Sequence, residues 1–401
     1  MPAVISEEIL TDIADAIREK ANTSYEYTPK QMAATLNSFD SIDLAAIING
    51  TFSSESVTIP GIEYLKSRVL NNYYIEEVTF LPGAKTIGGF SGTYVKTVSL
   101  PEGCTTIDYG AFASCRNLAS INLPNTITRI GTYGFNQCAK LPIKSLPSEL
   151  EYIGREAFAG CPYLTCRVIP KKVKNIEQKA FAYCTGLTSI ILPEDLPEIE
   201  TLVFLGCSNL TSVTLPKNLT KITYGLFKET GLLSIDLPEG ITEIDDTAFY
   251  ASDLTSIDLP ESLLIIGSKA FGTTDLTTIK TPKNVKTLGE GAFTFCQKLT
   301  SVDLSASDGI TTIEKETFNY NKSLETILLP KALTTIKSRA FYDCSQLKTI
   351  TLPGTVKSIA SDAFSGCGNL ATINVPWSEG EVSGAPWGAN ANTVINYNCV
   401  Y

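Results

Sequence analysis

The chain has no histidine among its 401 residues. That absence removes the commonest metal ligand, every histidine-based catalytic triad and any histidine pH switch. No apolar run approaches the length needed to cross a bilayer, so no transmembrane segment is expected. No basic run interleaved with aromatics occurs, and the formal charge of -10, from 32 Lys+Arg against 42 Asp+Glu, weighs against a nucleic-acid partner. The N-terminus, MPAVISEEILTDIADAIREK, is acidic and amphipathic. It lacks the basic region followed by an apolar core that marks a secretory signal. Dinucleotide fingerprints, Walker loops and nucleophile elbows are also missing, because GAF, GGF and YGAF are turn segments where Gly frees the backbone at a tight corner. Adjacent acids such as Glu76–Glu77 and Asp245–Asp246 read as solvated surface, since two carboxylates doing glycosidase work must face each other across a cleft. No enzyme, catalytic residue, metal or cofactor is expected.

What is present is a repeat. Aligned on one Phe per unit, the chain reads Phe112, Phe135, Phe158, Phe181, Phe204, Phe227, Phe249, Phe271, Phe293, Phe318, Phe341 and Phe364. Successive steps are 22 or 23 residues, except one of 25 where SASDGI, Ser305 to Ile310, replaces the usual proline. Phe90 in KTIGGFSG marks a shortened unit, so the array begins near Val57 in degenerate form. One unit, IDLPESLLIIGSKAFGTTDLTTI, holds a short strand-like stretch closed by proline, then a second apolar cluster, a Gly turn, the Phe and a Leu. Alternation over three to five residues bounded by turn residues is a strand signal. Such a unit cannot bury its own apolar face, so stacking must supply the core, with like side chains recurring one rung apart. The phenylalanines are assigned to this inner ladder.

Cysteine follows the repeat three residues after the Phe, at Cys115, Cys138, Cys161, Cys184, Cys207, Cys296, Cys344 and Cys367. Thr230, Ser252, Thr274 and Asn321 hold the same place in other units. A position that accepts Cys, Thr, Ser or Asn wants a small side chain, and buried free cysteine behaves as a small hydrophobe with a weak donor. Packing is therefore the leading reading, with disulfides along the ladder and metal or redox use as alternatives. The total of 11 leaves at least one thiol unpaired in a monomer.

The recurrent pattern, as in LPNTITRIGTYGFNQCAKL and LPGTVKSIASDAFSGCGNL, resembles the BspA-like, or Treponema-type, leucine-rich repeat family. The resemblance implies a right-handed leucine-rich-repeat solenoid of stacked rungs with short parallel strands. It also implies a bacterial surface protein that binds other macromolecules, with variable outward residues choosing the ligand.

Three regions follow: residues 1–50, 51–376 and 377–401. In the first, Ile9, Ile13, Ala16 and Ile17 recur at helical spacing behind Ser6, and Thr28, Pro29 and Gln31 mark a second helix start. This small helical module would cover the open first rung. It also resembles a segment at the front of phage-tail-associated and surface proteins of Firmicutes. The middle region is the solenoid. The last abandons the Phe and Cys register and carries the only tryptophans, Trp377 and Trp387, read either as closing the solenoid or as an aromatic platform for a ligand such as a sugar.

The expected ligand-facing residues lie on the outward position of the strand row. That row reads Ser99, Asn122, Ser145, Val168, Ile191, Thr214, Asp236, Asp258, Lys280, Asp303, Leu328, Thr351 and Asn374. Asp236, Asp258 and Asp303, with Lys280 between them, form an acidic stripe that is either solvated surface or a dock for a basic patch or cation. Val168, Ile191 and Leu328 are apolar where solvent is expected. The functional expectation is a non-enzymatic binding or adhesion module, displayed at the surface, for a protein or glycan ligand. The alternative is a structural or receptor-binding component of a phage tail or prophage-derived particle.

Overall fold

The computed structural model describes residues 56–59 and 76–399. The helical module expected over 1–50 lies outside the described residues, and among the described residues there is no helix. The chain divides into two compact units, Met1–Leu187 and Thr188–Tyr401. Each is a parallel-strand solenoid of stacked rungs.

In the first unit, one strand column runs through Ser56–Ile59, Glu77–Phe80, Thr97–Ser99 and Ser120–Ile121, paired parallel and in register. A second column, made of the apolar cluster that precedes each Gly turn, runs through Thr86–Ile87, Thr106–Ile107, Arg129–Ile130, Tyr152–Ile153 and Asn175–Ile176. Many rungs therefore offer two strand positions, where the sequence pattern marked one strand and an apolar cluster; from Arg129–Ile130 to Asn175–Ile176 the second column alone is formed as strand among the described residues. Inward residues repeat because the register is fixed: Ile107, Ile130, Ile153 and Ile176 are all buried. A slip by one residue would turn them to solvent.

The second unit repeats the plan. Its first column appears as Ser189–Ile191 with Ser212–Thr214, then Thr278–Lys280, Ser301–Asp303 and Thr326–Leu328, then Thr349–Thr351, Thr372–Asn374 and Val394–Asn396. The second column runs through Lys221–Ile222, Glu243–Ile244, Ile265–Ile266 and Thr287–Leu288, and again through Thr312–Ile313, Thr335–Ile336 and Ser358–Ile359. The inserted segment at Ser305 to Ile310 tucks Ser307 inside, where its Oγ donates to the Pro282 carbonyl at 2.7 Å.

All twelve repeat phenylalanines are fully buried. Their rings stack with centroids 5.3 Å apart for Phe112 and Phe135 and 5.4 Å for Phe249 and Phe271, tilted by only 7° and 3°. Phe90 joins the column, 5.3 Å from Phe112. Each such contact adds about 0.5–1.5 kcal/mol to what area burial supplies.

The Phe sits between two left-handed residues, as Tyr133 (φ 59) and Gln137 (φ 60) flank Phe135. A left-handed L-residue costs roughly 1–2 kcal/mol. Inter-rung bonding offsets it: the Phe112 N–H donates to Gly134 O at 2.8 Å and the Phe135 N–H to Ala157 O at 2.7 Å. A third line of backbone bonds thus runs along each unit beside the two strand columns.

The thiols complete this turn. The Phe112 carbonyl accepts its own rung's Cys115 N–H at 3.1 Å and the next rung's Cys138 Sγ–H at 3.1 Å. Cys161, Cys184, Cys296, Cys344 and Cys367 likewise donate to the Phe of the preceding rung, at 3.0 to 3.2 Å. Thr230, Ser252 and Thr274 reach instead to their own rung's Phe carbonyl at 2.8 Å. In these units the position holds a small donor to a Phe carbonyl, which a hydroxyl supplies as well as a thiol; Asn321 departs from this, its Oδ1 accepting the Cys296 N–H at 2.8 Å. All eleven cysteines are free, and all but Cys399 are buried. Burial pushes the Cys115 and Cys296 thiols up to about 11 and Cys166 to about 12. Thiols held so far above neutrality are poor nucleophiles.

Candidate functional site

The strand row sorts its residues by the period-2 rule of a strand. In Thr326–Leu328 the pattern is exposed, buried, exposed, with Ile327 inside and Leu328 outside. Leu328 is 57% exposed, Val168 54% and Ile191 47%, so all three expected apolar positions face solvent. Asp236, Asp258 and Lys280 are exposed as well, and Asp303 is half-buried.

Within the second unit the structure brings Lys280, Asp303 and Leu328 together as direct partners on neighbouring strands. Lys280 Nζ stands 4.0 Å from an Asp303 carboxylate oxygen. The other Asp303 oxygen accepts from Ser305 N at 3.0 Å and from Ser305 Oγ at 2.6 Å. Asp303 is thus engaged by its own turn and by Lys280, and the expected stripe of three open aspartates is reduced to two. Asp236 and Asp258 hold equivalent places in successive rungs, since Thr255 N donates to Leu233 O at 2.9 Å between them. Neither makes an ion pair among the described residues. Ile191 pairs with Thr214 farther along the same unit, whereas Val168 belongs to the first unit.

Both tryptophans are buried, Trp387 completely and Trp377 to 7% exposure. Neither can present a ring face to a sugar, which corrects their place among the ligand-facing residues. Trp387 falls 23 residues after Phe364, but its backbone takes the place held in other rungs by the residue before the Phe, as Ala363 O accepts the Phe341 N–H at 2.9 Å. The Trp387 carbonyl accepts the Phe364 N–H at 3.0 Å, and its indole N–H donates to Ser383 O at 2.8 Å. As the strand-like TVINY suggested, Val394–Asn396 pairs on Thr372–Asn374.

Not every phenylalanine is in the ladder. Phe295, two residues past Phe293, is 42% exposed and stacks on Tyr320 at 4.6 Å, and Tyr320 lies 5.3 Å from Tyr342. The Arg339 guanidinium lies 5.6 Å from the Tyr342 ring centre. Their offset from the ladder Phe, one residue for Tyr342 and two for Phe295 and Tyr320, was the signal that separates them.

The paired carboxylates serve rung-to-rung contacts. Asp245 lies 2.8 Å from Lys221 Nζ, Asp246 accepts the Ser268 N–H at 2.6 Å, and Glu76 accepts from Lys96 Nζ at 2.7 Å. No group of three or more Cys, Asp or Glu is placed to hold a metal among the described residues, and no helix there is long and apolar enough to cross a membrane.

Residues 63–188, 174–300 and 264–384 match the BspA type leucine-rich repeat region, in six copies. The chain belongs to the BspA-type leucine-rich repeat family. Among solved structures it is similar to a leucine-rich repeat protein from Bacteroides ovatus, at 26% identity and a TM-score of 0.62, over 75% of this chain and 91% of that one. It is also similar to a leucine-rich cell surface protein from Faecalibacterium prausnitzii, at 26% identity and a TM-score of 0.47, over 71% of this chain and 89% of that one. Among curated proteins nothing matches it. Repeat solenoids of this kind present extended surfaces used for binding, because each rung adds one more outward position to a continuous face.

Proposed function

We propose that this protein is a non-enzymatic adhesion module, displayed at a bacterial surface, that binds a host or bacterial surface protein through the outward row of its first strand column. The observation that carries the reading is the contrast between inward and outward residues over four successive rungs of the second unit. Inward residues are near-uniform, as Ile279, Val302, Ile327 and Ile350 are, while their outward neighbours are Lys280, Asp303, Leu328 and Thr351. Stacking dictates the first set and leaves the second open. Asp236 and Asp258 supply charge without an ion-pair partner among the described residues, and Leu328 and Ile191 supply exposed apolar anchors, the mixture that a protein partner uses for steering and for contact. The phage-particle alternative rests on the N-terminal segment, outside the described residues.

Beads coated with the full chain, presented to immobilised extracellular-matrix proteins and to whole bacterial cells, test the reading. Adherence that falls when Asp236, Asp258 and Leu328 are changed together to Asn, Asn and Thr supports it. Adherence to nothing in the panel, or adherence indifferent to the three changes, contradicts it.

A further inference from the structure

Two rungs of the first unit break the pattern of the row. In the other rungs stepped by 23 residues or more the inward residue of the first strand column lies nine positions after the repeat Phe, as Ile190 and Val302 do, and in the rungs stepped by 22 it lies eight positions after, as Ile235 and Ile279 do. After Phe135 and Phe158 the buried residue comes one position earlier, at Ile143 and Cys166. The effect on exposure is regular. Residues 140 to 144 alternate exposed, buried, exposed, buried, exposed, and so do residues 163 to 167. Lys140, Pro142 and Lys144 therefore share an outward face with Tyr163, Thr165 and Arg167 of the next rung. The two stretches lie side by side, joined by the Thr165 N–H donating to Ile143 O at 2.9 Å.

The surroundings are cationic. Residues 109–176 contain nine Lys and Arg against three acids, in a chain whose total charge is negative. Of those acids, Glu149 pairs with Lys172, and Glu156 lies 3.6 Å from Arg155. Lys144 and Arg167 make no ion pair among the described residues, and Lys140 Nζ reaches only the neutral Asn117 Oδ1, at 3.0 Å. Tyr163 is 59% exposed beside them.

We propose that this face binds an acidic polysaccharide, with Arg167, Lys144 and Lys140 taking its sulfate or carboxylate groups and Tyr163 stacking on the apolar face of a sugar ring. Arg167 can hold an oxyanion through two parallel N–H bonds, and the lysines act as point charges. Tyrosine suits the stacking role because its ring is apolar while its hydroxyl stays wet. The spacing suits a linear glycan: neighbouring rungs repeat at about 4.8 Å, close to the length of one sugar in a linear polysaccharide. The proposal names a partner class for a face in the first unit, apart from the second-unit row on which the adhesion reading rests. Its failure leaves that reading standing.

The test uses the full chain and fluorescent dextran sulfate followed by anisotropy, with neutral dextran, polyglutamate and single-stranded DNA as comparisons. Saturable binding to dextran sulfate that weakens as salt is raised is expected, with none to neutral dextran. The double variant Lys144→Gln with Arg167→Gln should bind about tenfold or more weakly, the loss of at least one good contact. Tyr163→Ala should weaken dextran sulfate binding and leave binding to polyglutamate unchanged. All three side chains are exposed, so the variants should unfold at the wild-type midpoint; Lys140→Gln offers a second, single-site variant with the same expectation. Absence of saturable binding, equal binding by the double variant, or tighter binding to polyglutamate or DNA than to dextran sulfate would overturn the proposal.

Discussion

Residues 109–176 of the first unit hold nine cations against three acids, while the second unit holds 15 against 24, yet the two stack the same phenylalanine column on the same paired strands. The difference teaches where this fold stores variation. Inward positions answer to the rung above and the rung below, so a Phe, Ile or Leu must recur. Outward positions answer to solvent, and charge can change sign along them without disturbing what lies beneath. In the second unit many lysines meet an acid on a neighbouring rung, as Lys298 meets Asp275 at 2.8 Å and Lys337 meets Glu314 at 2.7 Å. Exposed pairs of this sort contribute about 0–1 kcal/mol, too little to hold the stack.

If the interior is the shared part, damage to it should cost the same in both regions. Phe135→Ala and Phe271→Ala, each with a stacked ring on both sides, should each lose about 3–5 kcal/mol in denaturant unfolding. A large loss in one unit and a small one in the other would break the comparison.

Alkaline pH should separate the units next. Burial holds the Cys104 and Cys115 thiols at about 11, above the ordinary 9.0. Between those values the unfolded chain has released protons that the folded chain keeps, so stability is full below pH 9 and falls as pH rises toward 11. Each thiol contributes up to about 1.4 kcal/mol per pH unit in that window. Burial raises Cys104, Cys115, Cys138 and Cys166 in the first unit, against Cys296 and Cys344 in the second. The unfolding midpoint of the first unit should therefore drop more steeply than that of the second unit, as hydrogen exchange across pH 8 to 11 would show. A flat profile would mean that the thiols ionise in place.

A smaller effect distinguishes the donor from the space it fills. Cys161→Ala removes the thiol that reaches the Phe135 carbonyl and should cost about 1 kcal/mol. Cys161→Thr should cost less, since Thr274 and Thr230 bond a Phe carbonyl from the same position. Native-state labelling with a thiol reagent should be slow at all ladder positions and complete after unfolding.

The interior was legible in the chain because stacking forces the same residue type to recur at a fixed step, and the twelve phenylalanines declare it. The outward row was legible for the complementary reason, as what the repeat leaves free. Three features were not. The one-residue shift that turns Lys144 and Arg167 outward leaves an alternating apolar and polar string in either register, so only the buried neighbours, Ile143 and Cys166, reveal it. Trp387 keeps the 23-residue step, with Val375–Pro376 before it as Leu352–Pro353 stands before Phe364, but Trp in place of Phe and Asn390 in place of the ladder Cys hide the step. Asp303 reads as one more open acid because its bonds come from Ser305, inside the inserted segment, and from Lys280 across the rung.

The central claim is that recognition belongs to the outward row and stability to the stack. Its most direct test changes Asp236, Asp258 and Leu328 of the full chain together, to Asn, Asn and Thr, and measures unfolding midpoint and bead adherence on the same preparation. The account predicts a stability within about 0.5 kcal/mol of wild type, as for other surface changes, and adherence lost. Adherence retained with the midpoint unchanged, or a midpoint that falls with adherence, would contradict it.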